Sequence, residues 1–164
     1  MSRAWNYDGD EYPLALWEQS LRNALNSKRG QTFLRELESE LLAMQARGEG
    51  RLVSGYLIAD GANPDENYLP TPPIGCCTLG VMAKKRLDAE LLANWLNTPL
   101  EEAWDLEGLH KSLNIARCLI TEIGVANDSG EYSNSTEESE EQRFTRMLAW
   151  VRRHIQKNGQ LVER

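Results

Sequence analysis

Histidine occurs only twice in this chain, at His110 and His154, and cysteine only three times, at Cys76, Cys77 and Cys118. Neither histidine has a second one a helical turn away, the spacing that sets two metal ligands on one face. Cys76 and Cys77 are neighbours, so on a strand they face opposite sides and do not chelate one zinc as a Cys-x-x-Cys pair does. An odd, unspaced set of three thiols is no disulfide framework, and a reducing compartment fits it best. Pairing Cys118 with His110 as nucleophile and base fails on distance, because eight helical positions span about 12 Å of axis. Also missing are a Gly-x-Ser-x-Gly elbow, a Gly-x-Gly-x-x-Gly fingerprint and an internal repeat. No apolar run reaches the length of a membrane span. Met1 to Asp10 carries one arginine and no apolar stretch, so it reads as neither signal peptide nor anchor.

What is present is a domain-sized chain of 164 residues, 41% hydrophobic and 26% charged, with a net charge of −7. A chain of this size buries enough surface for its own core, so one domain over 1–164 is the expectation. The negative balance opposes a general grip on nucleic-acid phosphates. Asp8-Gly9-Asp10-Glu11 has oxygen ligands but lacks the twelve-residue frame of a calcium loop, and no metal or cofactor is expected. Glutamate pairs such as those in Glu137 to Glu141 are explained by helix capping without acid–base chemistry.

The clearest element is the stretch from Thr98 to Val125. Thr98-Pro99-Leu100-Glu101 has the form of a capping box with proline in the first turn, predicting a helix start. Leu106, Leu109, Leu113, Ala116, Ile120 and Ile123 then recur at spacings of three and four, with Gly108 as the expected interruption. Upstream, residues 1–12 read as an N-terminal arm. Pro13 opens a helix ending near Asn26-Ser27, Lys28-Arg29-Gly30 breaks the pattern, and Gln31 to Arg47 forms a longer helix stopped by Gly48. Arg51–Ile58 and Ile74–Met82 read as two strands of an antiparallel hairpin, joined by a long proline-rich exposed loop over 60–73. Asp88 caps a helix to about Asn97. Residues 126–135 read as a loop, Ser135 and Glu138 as a second capping box, and the following helix buries Phe144, Met147, Leu148, Val151 and Ile155 before a frayed tail over 159–164. The fold class expected is therefore α+β: a mostly helical single domain with one antiparallel β-hairpin packed on the helices.

Three places suit binding rather than catalysis. Lys28 and Arg29, just before a helix, can hold an anion or a partner carboxylate. Lys84, Lys85 and Arg86 form the densest basic run, although no aromatic residues interleave as in a nucleic-acid platform. Tyr68 and Leu69 sit among prolines in the 60–73 loop, where restricted backbone lowers the ordering cost of a protein contact.

Lys28-Arg29-Gly30-Gln31-Thr32-Phe33-Leu34-Arg35-Glu36-Leu37, Cys77-Thr78-Leu79-Gly80 and Arg143-Phe144-Thr145-Arg146-Met147-Leu148-Ala149-Trp150-Val151 together resemble a family of small, uncharacterised proteins encoded in bacteriophage and prophage genomes. The long loop and the second cysteine depart from that family's shorter hairpin connection. The resemblance implies a phage accessory protein in the host bacterial cytoplasm and transfers no catalytic residue. The leading expectation is a non-enzymatic protein that binds a host bacterial protein, with inhibition of a defence system as one outcome and self-association compatible with it. The alternatives are a nucleic-acid-associated factor using Lys28, Arg29, Lys84, Lys85 and Arg86 as one patch, and a small-ligand-binding protein or enzyme using Arg29 and His110.

Overall fold

Phe33, Leu34, Leu37 and Leu41 recur on one side of a long helix, and all four are fully buried. The computed structural model describes residues 14–62, 71–100, 107–129 and 138–157. Within these, the order is α1 (Leu14–Asn26), α2 (Lys28–Ala46), β1 (Ile58–Asp60), β2 (Ile74–Cys76), α3 (Thr78–Arg86), α4 (Ala89–Ala93), α5 (Glu107–Leu113), α6 (Arg117–Ser129) and α7 (Glu140–His154). It is the expected single-domain α+β arrangement, with seven helices and one two-stranded antiparallel hairpin among the described residues. Helix α2 packs against α1, α3 and α7, while α6 packs against α1, α3, α5 and α7. The core lies between these two helices and the ones they share.

Lys28-Arg29-Gly30 is not an interruption. Ser27 alone separates α1 from α2; its hydroxyl donates to the Ala24 carbonyl at 2.7 Å and accepts from the Gly30 N–H at 2.9 Å, capping α2. A Cβ on Gly30 would stand 2.0 Å from the Ala24 carbonyl oxygen, so glycine lets α1 and α2 meet this closely. At the other end Gly48, at φ +74°, closes α2 as expected: Gly48 N–H donates to Gln45 O and Glu49 N–H to Met44 O, a Schellman pair.

The two strands are much shorter than their apolar runs. Ile58 faces Cys76 and Asp60 faces Ile74. Before β1 the chain is irregular, because Leu52 and Val53 are adjacent and both buried, so strict alternation fails, and Gly55 turns at φ +77°. After β2, the expected strand residues Thr78, Leu79, Val81 and Met82 are instead in α3, a nine-residue helix buried from Thr78 to Ala83. A helix apolar on every side shows no 3.6-residue period and reads like a strand. Cys76 and Cys77 are both buried.

Asp88 caps α4 through the Leu91 N–H at 2.9 Å as expected, but the helix stops at Ala93. Asn97, at φ +55°, swings the chain so that its N–H meets the Ile58 carbonyl at 2.9 Å. No helix begins at Thr98: Pro99 bridges Tyr56, and Leu100 N–H donates to Gly55 O at 2.7 Å. Leu106 and residues 101–105 lie outside the described residues. The break in the organising stretch falls at Asn114, φ +54°, not at Gly108. Ile115 N–H donates to His110 O and Asn114 N–H to Lys111 O, again a Schellman pair, with asparagine tolerating the left-handed position.

Helix α6 continues through Ala126, Asn127, Asp128 and Ser129, the first part of the expected 126–135 loop. Helix α7 is capped by Ser139 and not Ser135, since Ser139 and Gln142 exchange the two bonds of a capping box at 3.1 and 2.9 Å. Glu138, assigned to the cap by sequence, is engaged by arginines described below. The 1–12 arm, most of the 60–73 loop and the 159–164 tail lie outside the described residues.

Candidate functional site

Helix α3 carries Lys84, Lys85 and Arg86 in its last turn, and the helical twist sends them in different directions. Lys85 Nζ pairs with Glu40 Oε1 at 2.7 Å. Arg86 is a bracket: Nη2 meets Glu36 Oε2 at 2.8 Å, Nη1 donates to the Leu113 carbonyl at 2.5 Å, and the guanidinium stands 5.1 Å from the Phe33 ring centroid. It ties α3 to α2 and to the end of α5, so two of the three cations serve packing. Lys84 is exposed and lies beside the Cys76 thiol. Burial pushes that thiol above its usual value, and the lysine partly offsets the shift.

Lys28 and Arg29 are exposed in the first turn of α2. Arg29 Nη1 donates to Asn114 Oδ1 at 3.4 Å, so Arg29 and Arg86 reach consecutive residues of the α5–α6 joint. His110 lies one turn before that joint, half-buried, with its carbonyl used by the Schellman pair. Of the five basic residues expected as one patch, Lys85 and Arg86 are paired with Glu40 and Glu36, while Arg29 reaches Asn114, one turn after His110. Tyr68 and Leu69 lie outside the described residues.

The hairpin presents a different surface. Register places Ile58, Asp60, Ile74 and Cys76 on one face, and the bridge of Ile58 to Leu96 sets Leu96 beside them. Gly80, on α3, covers Cys76, whereas Ile74 remains 78% exposed and Leu96 41%. Leu91 on α4 is exposed as well. Asn97 locks this edge: its Oδ1 accepts from the Asp60 N–H at 3.0 Å and its Nδ2 donates to Asp60 Oδ1 at 2.7 Å. That bond, together with the Ala62 N–H, holds the Asp60 carboxyl below its usual range.

Sequence reasoning missed two polar clusters that hold the hairpin in place. Asn127 Oδ1 accepts from Thr78 N–H and Oγ1 at 3.0 and 2.7 Å, and its Nδ2 donates to Val53 O at 2.9 Å. Arg146 grips Glu138 through Nε and Nη2 at 2.6 and 3.0 Å, and donates to the Ala126 and Asn127 carbonyls at the end of α6. Arg143 donates to Leu52 O at 3.0 Å, while its Nε lies 3.3 Å from Glu138 Oε2, an ion-pair distance without hydrogen-bond alignment. Hydrogen bonds from Arg146, then the charges of Arg146 and Arg143, hold the Glu138 carboxyl below its usual value against the opposing effect of burial. The signal in the sequence was a set of polar residues interrupting apolar helical stripes, with nothing to say what faced them.

Among the described residues no three His, Cys, Asp or Glu side chains are placed to hold a metal. The three cysteines are free, and burial pushes the Cys77 thiol up to about 12. No described helix is long and apolar enough to cross a membrane. A scan of protein-family models, a search of curated proteins and a search of solved structures return no match to this chain. The described surface presents exposed apolar side chains at Ile74, Leu91 and Leu96 and exposed cations at Lys28, Arg29 and Lys84.

Proposed function

We propose that the chain is a non-enzymatic accessory protein that binds a host bacterial protein through the outer face of its hairpin. The observation that carries this reading is Ile74, 78% exposed on a strand whose pairing is otherwise tightly held, with Leu96 on the same face. Isolated exposed apolar residues are ordinary, but two on one rigid face, beside Lys84 and Asp60, form an apolar centre with a charged rim. Partner contact is by side chains rather than by strand addition. Pro72 and Pro73 immediately precede Ile74 and supply no N–H groups, which blunts the edge of β2. The phage setting, and the inhibition of a host defence system as a role, rest on the sequence resemblance.

The test is affinity isolation with cross-linking from a bacterial lysate, comparing the native chain with Ile74→Lys plus Leu96→Lys. Specific capture is expected to fall at least tenfold, with the melting temperature within about two degrees because both positions are exposed. Equal capture by the double variant overturns the hairpin face as the interface.

A further inference from the structure

The carboxylates of this acidic chain are unevenly placed. No Asp or Glu occurs between Gln19 and Arg35 or between Gly108 and Thr121. These two segments are far apart in sequence, and the fold joins them where Arg29 Nη1 meets Asn114 Oδ1. Lys111, in the last turn of α5, and Arg117, the first residue of α6, each stand three residues from Asn114 along the chain and so flank the joint. Lys28, Arg29, Lys111 and Arg117 are all exposed. Glu36, which approaches the joint from α2, is already engaged by Arg86. The corner therefore concentrates positive charge on a molecule of net charge −7.

We infer that this corner, formed by Lys28, Arg29, Lys111 and Arg117 around Asn114, is a binding site for a compact polyphosphate group. Guanidinium forks and ammonium groups match several phosphate oxygens at once, and a di- or triphosphate packs its charge into the span of one such cluster. A long nucleic acid is disfavoured, because its flanking phosphates meet the negative field of the rest of the chain and the two segments hold no Trp or Tyr, their one Phe, Phe33, being fully buried. The site is separate from the hairpin face and shares no residue with it, so either reading can fail alone.

The probe is inorganic tripolyphosphate, with ATP as a second arm, measured by thermal shift and calorimetry on the full chain at 150 mM salt. Tripolyphosphate is expected to raise the melting temperature by about 4 °C at saturation, as ligands that bind only the folded state do. Arg29→Gln with Arg117→Gln should abolish that shift. Arg47→Gln with Arg51→Gln, two exposed arginines elsewhere, should retain it. A larger response to ATP supports the site and names a nucleotide as the source; an equal response supports it with the phosphates alone as the determinant. No shift in the native chain, or the same shift in both double variants, overturns the inference. So does tighter retention on a twenty-base-pair duplex than on tripolyphosphate, which would make the patch a nucleic-acid contact.

Discussion

Asn127 shows how one side chain can decide the position of three elements. It lies in α6 with no exposure, accepts from the backbone and hydroxyl of Thr78 at the start of α3, and donates to Val53 in the irregular segment before β1. Truncation leaves the Thr78 donors and the Val53 carbonyl buried without partners, and each such group costs about 1–3 kcal/mol. Asn127→Ala should therefore lose about 3 kcal/mol in urea unfolding. A loss under about half a kilocalorie, the surface range, would show that water replaces the side chain. Gly80 acts by absence at the same junction: an added Cβ would stand 2.0 Å from the Leu57 carbonyl oxygen and 2.7 Å from Cys76 Cβ. Gly80→Ala forces α3 away from the hairpin and should cost about 1–3 kcal/mol, the usual penalty of overpacking. Urea unfolding checks it, with a neutral result meaning that α3 shifts freely.

At the level of elements, the 98–125 stretch is central but not continuous. Leu109 and Leu113 on α5 and Leu119, Ile120 and Ile123 on α6 are all buried, so the apolar stripe expected from their spacing faces the core. Leu113→Ala should cost about 2–5 kcal/mol, as buried leucine truncations do; a loss within about half a kilocalorie would mean that the joint collapses around the gap. The joint between α6 and α7 depends on charge. The Glu138 carboxyl is held below its usual value of 4.5 by Arg146 and Arg143, so the folded state binds its proton less readily than the unfolded chain does. Its contribution is fully present above about pH 4.5 and is lost as pH falls through the lowered folded value. Glu138→Gln is expected to lose about 2 kcal/mol at pH 7, where charge-assisted bonds operate, and to converge on the native chain in acid. A gap independent of pH between 7 and 3 would assign the loss to packing.

For the whole molecule, cations and thiols are distributed by burial. Most arginines of α7 and the end of α3 are spent on Glu36, Glu38 and Glu138 or on carbonyl groups. Lys28, Arg29, Lys111 and Arg117 are exposed instead. The thiols follow the same logic: Cys77 has no exposure, Cys76 is nearly as enclosed, and Cys118 is half-buried. In the native protein a thiol reagent should label Cys118 first and Cys77 last, and under denaturing, non-reducing conditions all three should react. Rapid native labelling of Cys77 would reveal that α3 opens locally.

The sequence alone determined the elements whose apolar residues recur on one face only. The stripes of α1, α2 and α7, the glycine stop at Gly48 and the Asp88 cap are local properties, because spacing and capping act within one or two turns. The helical part of the fold class followed from them, and the hairpin from the two apolar runs on either side of the 60–73 loop. Tertiary structure decided the rest, for a common reason: the partner lay far away in sequence. Thr78 to Met82 is helix although, buried on every side, it carries no helical period that the sequence could show. The Thr98 capping box went unused because Pro99 and Leu100 pair with Tyr56 and Gly55. Of the candidate binding residues, Lys85 and Arg86 were claimed by Glu40 and Glu36 on another helix, while Arg29 met Asn114, 85 residues away, only when the chain brought the α5–α6 joint to the start of α2. A cation's availability depends on which carboxylates the fold sets beside it, and that neighbourhood does not exist until the core has formed.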